Sequence, residues 1–349
     1  MKKFFSRLLI PVLSAIFCTA CSVSDFIYIP EKQLNNYTVL RLANNHEADY
    51  PTSKACDYFA ELVEQETNGK IKIICYHNCA LGDEASTIEQ LKLGGIDFVR
   101  APVSLLSSYD PDLNVLTLPY LYENDTQMWN VLKGSIGDSL LSCEKLAENN
   151  MVGLCWYTAG SRSFYSSVSL ENGLESIKGL KMRTQDSSIL RDTIEALGAD
   201  AVTINFEDVY SALLTSKIDG AENNIPSYVS TQHYKAAKYF LADEHSRVPE
   251  IIAASKSTMD SLPEDYQEII KQCAVKSTEK QIQLWNEYEQ QSLKTAEENG
   301  CIIITPTEEQ KAELKNAVKG IKDAYSDEYG EVCRLSSDTD SETLDKLDK

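Results

Sequence analysis

The sequence predicts an α/β protein of two lobes that face one another across a cleft. Its 349 residues are 43% hydrophobic, enough to bury a core that divides naturally into two lobes. Strand-like and helix-like segments alternate along the chain, which is typical of parallel or mixed sheets covered by helices on both faces. The stretches EQLKLGGIDFVRA and SALLTSKIDGAEN each contain a helix, a break and a strand, and one lies in each half of the chain. Ligands of open α/β sheets bind beyond the carboxyl ends of the strands, so the two units predict a cleft between lobes.

The N-terminal residues 1–21 are typical of a lipoprotein signal peptide. A basic start precedes an apolar run that is too short to span a bilayer, and small residues lead to Cys21. We therefore expect export and a lipid anchor on Cys21. An ordinary cleaved signal is the alternative, because Cys18 stands where an aliphatic residue is usual. Residues 22–36 are predicted to form a polar stalk, and residues 335–349 a disordered tail without an apolar period.

The first lobe is predicted to comprise mainly residues 37–157. Its strand-like segments are short and apolar, its helix-like segments repeat apolar residues at helical spacing, and Asn-Gly and Gly-Gly pairs end the helices. The predicted elements are strand 37–43, helix 51–67, strand 71–76, helix 84–93 and strand 96–101.

The second lobe is predicted to comprise mainly residues 158–255 and repeats the same alternation. A glycine closes its first helix, and an Ile-Asp pair opens its last strand. The predicted elements are strand 180–184, helix 187–197, strand 201–204, helix 206–216 and strand 218–222.

Residues 256–334 are predicted to form one long helix and C-terminal helices that pack on both lobes. Ser261 is the predicted N-cap near Pro263, acidic residues fill the first turn, and Gly300 ends the helix. A helix of about 35 residues is roughly 50 Å long, so we expect it to brace the two lobes.

Composition and motif content exclude several classes of function. The formal net charge of −20 excludes a nucleic-acid or anionic-membrane surface, since both require a basic footprint. Neither a metal nor a cofactor is predicted, because the CYHNC stretch at 75–79 has no second Cys or His pair at zinc spacing. Neither G-x-S-x-G nor H-E-x-x-H is present. We predict that the protein is not an enzyme, although 53 Asp and Glu residues leave a secreted sugar-acid enzyme open as an alternative.

Residues 180–224 carry the most informative motifs. Lys181-Met182-Arg183 places an arginine near the end of a predicted strand, and VYSALLTSKIDGAEN follows at 209–223. This block resembles the solute-receptor subunit of the tripartite ATP-independent periplasmic (TRAP) transporters, which carry a K-I/M-R arginine and a V-Y-x-A-L-x-T-x-x-I-D-G-x-E-N motif. The stretches LGDEASTIEQLKLGGIDFVRA, LNVLTLPYLY, GLCWYTAGSRSFYSS and EHSRVPE match in the same order. The resemblance covers nearly all of the chain after the signal, and it implies a fold like that of periplasmic binding proteins.

The resemblance implies a carboxylate-binding role for Arg183, because a guanidinium holds a carboxylate with two parallel hydrogen bonds. A surface ion pair is the alternative. Asn223 matches the asparagine of the motif, with a turn-forming role as the alternative, and Asn224 adds a second amide. Arg162, in G-S-R-S-F, is predicted to bind the carboxylate or a ring hydroxyl, or else to form a salt bridge. Further candidates, of which the aromatic residues fit the core equally well, are Arg100, Glu84, His46, Phe206 and Tyr228.

The function implied by the resemblance is capture of a sugar acid outside the cytoplasm. The segment 219–228, followed by HYKAAKYF and EHSRVPE, is similar to the subgroup that binds hexuronates such as glucuronate or galacturonate. The loaded receptor would then dock on the membrane subunits of a TRAP permease, while lipidated Cys21 tethers it in the periplasm or at the outer face of the cell membrane. A C4-dicarboxylate or another organic acid is the alternative ligand, and a chemosensory receptor is an alternative role.

Overall fold

The computed structural model of the protein describes residues 37–324. The predicted signal peptide with Cys21, the stalk at 22–36 and the tail at 335–349 lie outside the described residues. No helix within the described range is both long and apolar enough to cross a membrane.

The described residues contain eleven strands. In chain order they are β1 Thr38–Ala43, β2 Ile71–Tyr76, β3 Phe98–Pro102, β4 Met151–Tyr157, β5 Ser161–Ser166, β6 Lys181–Thr184, β7 Asp200–Thr203, β8 Gly220–Asn223, β9 Tyr239–Arg247, β10 Glu250–Ser255 and β11 Ile302–Ile304.

The helices surround these strands. In chain order they are α1 Pro51–Glu66, α2 Glu84–Lys92, α3 Val103–Leu106, α4 Asp125–Leu132, α5 Ser135–Leu141, α6 Glu144–Glu148, α7 Leu174–Ile177, α8 Ser188–Ala196, α9 Val209–Leu214, α10 Ile225–Ser230, α11 Lys256–Asp260, α12 Glu264–Glu298 and α13 Glu308–Ala317. Short 3-10 helices occupy Pro111–Thr117, Phe206–Asp208 and His233–Lys235.

The strands form two mixed sheets. The first has the order β2-β1-β3-β10-β4, with β10 antiparallel to both of its neighbours and β1 parallel to both of its own. The second has the order β11-β9-β5-β8-β6-β7, with β5 antiparallel to β8 and β9 and with β6 parallel to β7 and β8. The predicted α/β fold with mixed sheets is confirmed. Strand β10 belongs to the first sheet, although its residues lie in the range assigned mainly to the second lobe.

The predicted elements correspond to observed ones, with two local differences. The predicted helix 206–216 is a 3-10 turn at Phe206–Asp208 followed by α9. The prediction of Ser261 as N-cap of the long helix is wrong, because Ser261 ends α11 and α12 begins after Pro263. A proline disfavours helical backbone at the residue before it, so the chain cannot continue as a helix from Ser261 through Leu262.

Helix α12 has the expected length of 35 residues and contacts both sheet systems. It packs on α1 and β4 of the first sheet and on α10, which follows β8 of the second. The buried Gln281 side chain accepts from the backbone N–H of Thr158 at 3.0 Å and donates to its carbonyl at 2.8 Å. These bonds fix the helix to the segment through which the chain passes from β4 to β5.

Gly160 allows this segment to lie against α12. Its φ is +59°, and a Cβ at this position would stand 2.8 Å from Trp285 Nε1 and 2.7 Å from Glu289 Oε1. Only glycine combines that backbone conformation with so close an approach. The crossing between the sheets is therefore held by direct contact with the long helix.

Separate buried clusters lie against each of the two sheets. Phe59, Phe98 and Cys155 belong to a buried cluster on one face of the first sheet. Tyr165 and Phe240 belong to a cluster of the second. Every cysteine within residues 37–324 is a free thiol, and Cys56, Cys155 and Cys273 are buried as small apolar side chains.

Candidate functional site

A cavity of about 110 Å³ lies between the two sheets. Residues 83–85 at the start of α2 and Leu105 of α3 line it from the side of the first sheet. Residues 203–207, which begin at the last residue of β7, line it from the side of the second sheet together with Arg183, Gln185 and Asp186. The lining groups therefore lie at helix starts and beyond the carboxyl ends of strands, where α/β proteins bind ligands.

The beginning of α2 is fixed by its N-cap. Asp83 Oδ1 accepts from the backbone N–H of Ser86 at 2.7 Å and from the Ser86 hydroxyl at 2.5 Å. These bonds hold the pKa of Asp83 below its usual range, because they stabilise the ionised form. Glu84 then begins the helix and lines the cavity.

Arg183 lies at the cavity with its charge unpaired. The residue is 2% exposed, and its Nε donates to the backbone carbonyl of Ile204 at 2.7 Å. Among residues 37–324, no carboxylate forms an ion pair with it. Burial lowers its pKa, and the nearby charge of Glu222 offsets this only in part. A buried guanidinium without an anionic partner lowers the stability of the folded protein, and binding of an anion would relieve this cost.

Arg162, by contrast, is fully paired. Its guanidinium donates to both carboxylate oxygens of Glu222, with the Nη2–Oε1 distance at 2.8 Å, and its Nη1 donates to Asn223 Oδ1 at 3.1 Å. Burial alone would raise the pKa of Glu222, but Arg162 and the nearby His245 lower it to about 2. The salt-bridge alternative for Arg162 is therefore the arrangement in the structure, and Arg162 positions the Asn223 amide.

His245 continues this network. Its Nδ1 lies 3.0 Å from Asp243 Oδ2, and its Nε2 lies 3.7 Å from Glu222 Oε2. Burial would lower the pKa of His245, but the two carboxylates outweigh it and raise the pKa to about 9. With His245 charged, Asp243, His245, Glu222 and Arg162 form a buried row of alternating charges that sum to zero.

Arg100 is shared by two carboxylates. Its Nη2 donates to Glu84 Oε1 and its Nη1 to Glu250 Oε1, each at 2.9 Å, while its Nε donates to Asn44 Oδ1 at 3.1 Å. Burial opposes the charge of Arg100, but Glu250 and Glu84 raise its pKa above the usual value. Burial also raises the pKa of Glu250 to about 7, against the lowering effect of Arg100. Arg100 thus orients Glu84 and carries no free charge toward a ligand.

The two asparagines of the motif have different surroundings. Asn223 is 4% exposed, and its Oδ1 accepts from Arg162 and from the backbone N–H of Asn224. Asn224 is the N-cap of α10, because its Oδ1 accepts from the backbone N–H of Ser227 at 2.7 Å. The oxygen of each amide is therefore engaged within the protein, which leaves the NH2 groups as donors.

His46 and Phe206 lie together beside the site. The ring of His46 stacks on Tyr50 with centroids 3.9 Å apart, and it meets Phe206 edge-on at 5.5 Å. Phe206 lines the 110 Å³ cavity and also a neighbouring cavity of about 260 Å³ that includes His46. Burial, and then the charge of Arg100, lower the pKa of His46 well below its usual value, so the ring is neutral at pH 7.

Tyr228 is not grouped with these residues. It is fully buried against Tyr165 and Phe240, and its hydroxyl donates to the carbonyl of Ala237 at 2.7 Å. The structure therefore places its ring in the core of the second sheet, which was the alternative for this residue. Glu222, Glu250 and Asn44 were not singled out from the sequence; Glu222 stands inside the D-G-A-E-N motif and Glu250 follows R-V-P, but neither stretch reveals a partner.

One cluster of possible metal ligands does not fit a metal ion. Asp57, Cys75 and His77 bring ligand atoms within 4.8 Å of one another. However, Asn44 Nδ2 faces His77 Nδ1 at 3.2 Å, and the Asn44 oxygen is held by Arg100. His77 Nδ1 must then accept, which leaves the proton on Nε2, 2.9 Å from Asp57. A metal-bound imidazole needs the opposite arrangement, so this cluster is an internal hydrogen-bonded group.

Larger cavities, of about 450 and 400 Å³, lie elsewhere. One is bordered by α12 and the start of α1, and the other by Tyr120 and α13. Neither contains a buried, unpaired charge, so size alone does not identify the site.

Comparison with known proteins finds a family model that covers most of the chain. The family model for bacterial extracellular solute-binding protein, family 7, named DctP, matches residues 42–328. A solute-binding protein of Chromohalobacter salexigens is 32% identical over 295 residues, which cover 84% of this chain and 87% of that protein.

Solved structures are similar over almost their whole length. A TRAP periplasmic solute-binding protein of Xanthobacter autotrophicus Py2 with bound β-D-galacturonate has a TM-score of 0.81 and 37% identity, covering 85% of this chain and 99% of that one. Its counterpart in Citrobacter koseri, with bound D-glucuronate, has a TM-score of 0.83 and 30% identity, covering 87% of this chain and 100% of that one.

Proposed function

This chain belongs to family 7 of the bacterial extracellular solute-binding proteins, the TRAP solute receptors, and we propose that it captures a hexuronate such as D-glucuronate or D-galacturonate. The family binds solutes for transport and is not a family of enzymes. The solved relatives with bound D-galacturonate and D-glucuronate support this ligand class.

The observation that carries the proposal is the buried, unpaired guanidinium of Arg183 in the cavity between the sheets. A ligand carboxylate would supply the missing opposite charge with two parallel hydrogen bonds. Closing the two lobes around it would exclude water and strengthen this pair, since electrostatic interactions increase as the local dielectric constant falls.

The charge balance favours one carboxylate over two. Arg162 is neutralised by Glu222, and Arg100 by Glu84 and Glu250. Of these three arginines, Arg183 alone retains a free charge, so a C4-dicarboxylate would lack a second cation. A hexuronate has one carboxylate and several hydroxyls, for which the Asn223 amide and the Glu84 carboxylate offer a donor and an acceptor.

We propose further that the loaded receptor delivers its ligand to the membrane subunits of a TRAP permease. Residues 37–157 would form mainly one lobe and residues 158–255 mainly the other, with α12 packed on both. Lipidated Cys21 would hold the receptor at the membrane. Phe206 and His46 would wall the ligand, while Asn224 orders the start of α10.

The test is ligand binding to Arg183→Met, which keeps a long side chain without the charge. Isothermal titration with D-glucuronate and D-galacturonate should show binding to the wild type, with affinity reduced at least about 100-fold in the variant. The melting temperature without ligand should stay the same or rise, because an unpaired buried charge has been removed. Arg41→Met is the control, since Arg41 lies near Asp97 on the first sheet, outside the cavity lining.

Unchanged binding in Arg183→Met would contradict the proposed site. Binding of succinate instead of either uronate would favour the dicarboxylate ligand. Appearance of a product after incubation with the uronates would instead indicate an enzyme.

A further inference from the structure

The walls of the 110 Å³ cavity carry mostly negative charge. Asp83, Glu84, Asp186 and Glu207 all line it, and Arg183 is the cation among its lining residues. Asp83 stays ionised because it caps α2. Burial raises the pKa of Glu207, and the charges of Asp83, Asp208 and Glu84 raise it further, which indicates that the carboxylates crowd one another.

Among these acids, Glu84 lies on the cavity wall that faces Arg183. It enters the cavity from the first sheet, whereas Arg183 enters from the second. A ligand that spans the cavity from Arg183 would therefore place its other end at the wall that carries Glu84. The Glu84 side chain is only 12% exposed, and its Oε1 is held by Arg100 at 2.9 Å.

Arg100 cannot neutralise this wall for the ligand. Its single charge is shared between the carboxyl groups of Glu84 and Glu250, so it is not available to a ligand. Glu84 also leaves its second oxygen without a hydrogen-bond partner among the described residues, which suits it to accept from a hydroxyl. A ligand hydroxyl would donate a hydrogen bond to this oxygen, whereas a ligand carboxylate would be repelled by its negative charge.

We propose that Glu84 is a specificity-determining residue that makes this receptor select sugar acids with one carboxylate and reject those with a second carboxylate at the opposite end. The inference rests on the proposed function, because it takes Arg183 as the anchor of the first carboxylate. It adds that discrimination arises from repulsion at Glu84 as well as from the lack of a second cation.

The test compares D-galacturonate with galactarate, the corresponding diacid, by isothermal titration. The wild type should bind galacturonate at least about 10-fold more tightly than galactarate. Glu84→Gln keeps the shape of the side chain and removes its charge. In this variant the affinity for galactarate, relative to that for galacturonate, should rise at least about 10-fold. Galacturonate forms a ring and galactarate is an open chain. This difference cancels when the ratio of the two affinities is compared between variants.

Two further variants test whether the effect depends on the charge of residue 84 and on its place in the cavity. Glu84→Asp keeps the charge and should keep the discrimination, even if both affinities fall. Glu195→Gln removes an exposed carboxylate from α8, away from the cavity lining, and should leave the ratio unchanged. Thermal melting without ligand checks that each variant is folded.

The possible failures are distinguishable. An unchanged ratio in Glu84→Gln, or equal binding of both acids to the wild type, would overturn the role of Glu84 and leave the receptor function intact. Absence of galacturonate binding to the wild type would overturn the proposed ligand and this inference with it.

Discussion

At the residue scale, the site consists of one unpaired charge beside two neutralised ones. Arg162 and Arg100 are held by acids of the protein, while Arg183 is buried and has only a backbone carbonyl as partner among residues 37–324. Leaving a buried charge unpaired costs stability in the free protein. Such a cost at a binding site is common, because the stability is recovered when the ligand supplies the counter-charge.

The His245 network makes stability depend on pH. The folded-state pKa of about 9 lies above the ordinary value of 6.5, so the charged form is favoured in the folded protein. The resulting stabilisation is complete below pH 6.5 and is lost as the pH rises through 9. We expect wild-type protein to lose about 2 to 3 kcal/mol of unfolding free energy from this group between pH 6 and 10.

The measurement is urea denaturation at several pH values for wild type and His245→Gln. The variant should be less stable than wild type at pH 6, and the difference should shrink toward zero by pH 10. The pKa of Glu250 is raised from 4.5 to about 7. Its effect on stability is therefore lost mainly between pH 4.5 and pH 7, below the range in which His245 loses its charge. A constant difference across this range would show that His245 is not charged in the folded protein.

The residue types of the site were predictable, whereas their pairing was not. The K-M-R and D-G-A-E-N motifs located Arg183 and Asn223, but the partner of Arg162 depends on the antiparallel register of β5 and β8, in which Ser163 lies opposite Asn223. Register is set by tertiary contacts across the sheet. For the same reason the bond between Arg100 and Glu250, which joins β3 to β10, could not be inferred from spacing along the chain.

At the scale of elements, α12 is stabilised by what it bonds to rather than by its own caps. Its N-cap is Pro263, which makes no side-chain capping bond, and its first turn carries Glu264 and Asp265. Acidic residues near a helix start are favourable, but by less than about 1 kcal/mol each. The buried face on α1, β4 and α10 therefore accounts for most of its stability.

Gln281 provides the test of this attachment. In Gln281→Leu the N–H and the carbonyl of Thr158 both lose their partner in a buried region. We expect a loss of about 2 to 4 kcal/mol in unfolding free energy, measured by urea denaturation. The control is Gln283→Leu on the exposed face of the same helix, which should change stability by less than about 0.5 kcal/mol. Equal effects of the two substitutions would argue against the attachment.

The alternation of strands and helices was predictable where each strand is followed by its own helix. The early β-α-β units match the structure closely, because periodicity and glycine breaks mark both kinds of element. Strands β9 and β10 follow one another without a helix, and the apolar run EIIAAS of β10 fits a strand or a buried helix equally well. Only its pairing with β3 and β4 decides between them.

At the scale of the whole molecule, direct bonds join the two sheet systems around the cavity. The hydroxyl of Ser104, after β3, donates to Gln185 Oε1, after β6, at 2.7 Å. On the other side, the Tyr50 hydroxyl lies 2.9 Å from Ser227 Oγ on α10. These contacts favour a closed arrangement, and a closed arrangement favours a bound ligand.

We expect Ser104→Ala to weaken ligand binding about 3- to 10-fold. Ser104 does not line the cavity, whereas its partner Gln185 does, so the effect would come from loss of the closing bond. Isothermal titration with the best uronate provides the measurement. Ser107→Ala removes a hydroxyl from the same segment, one that donates to the nearby carbonyl of Ser104, and the affinity of this variant should remain close to that of wild type. Equal affinities in all three proteins would mean that this bond does not contribute to closure.

The chain passes between the sheets three times: from β4 to β5, from β9 to β10, and through α12 on the way to β11. Consequently, no single cut in the gene would yield a fragment containing one complete sheet and nothing of the other. A truncation after residue 157 would remove β10 from the middle of the first sheet, between β3 and β4. Neither half is an autonomous module, so an exchange of one complete sheet between relatives would have to move more than one segment of the gene.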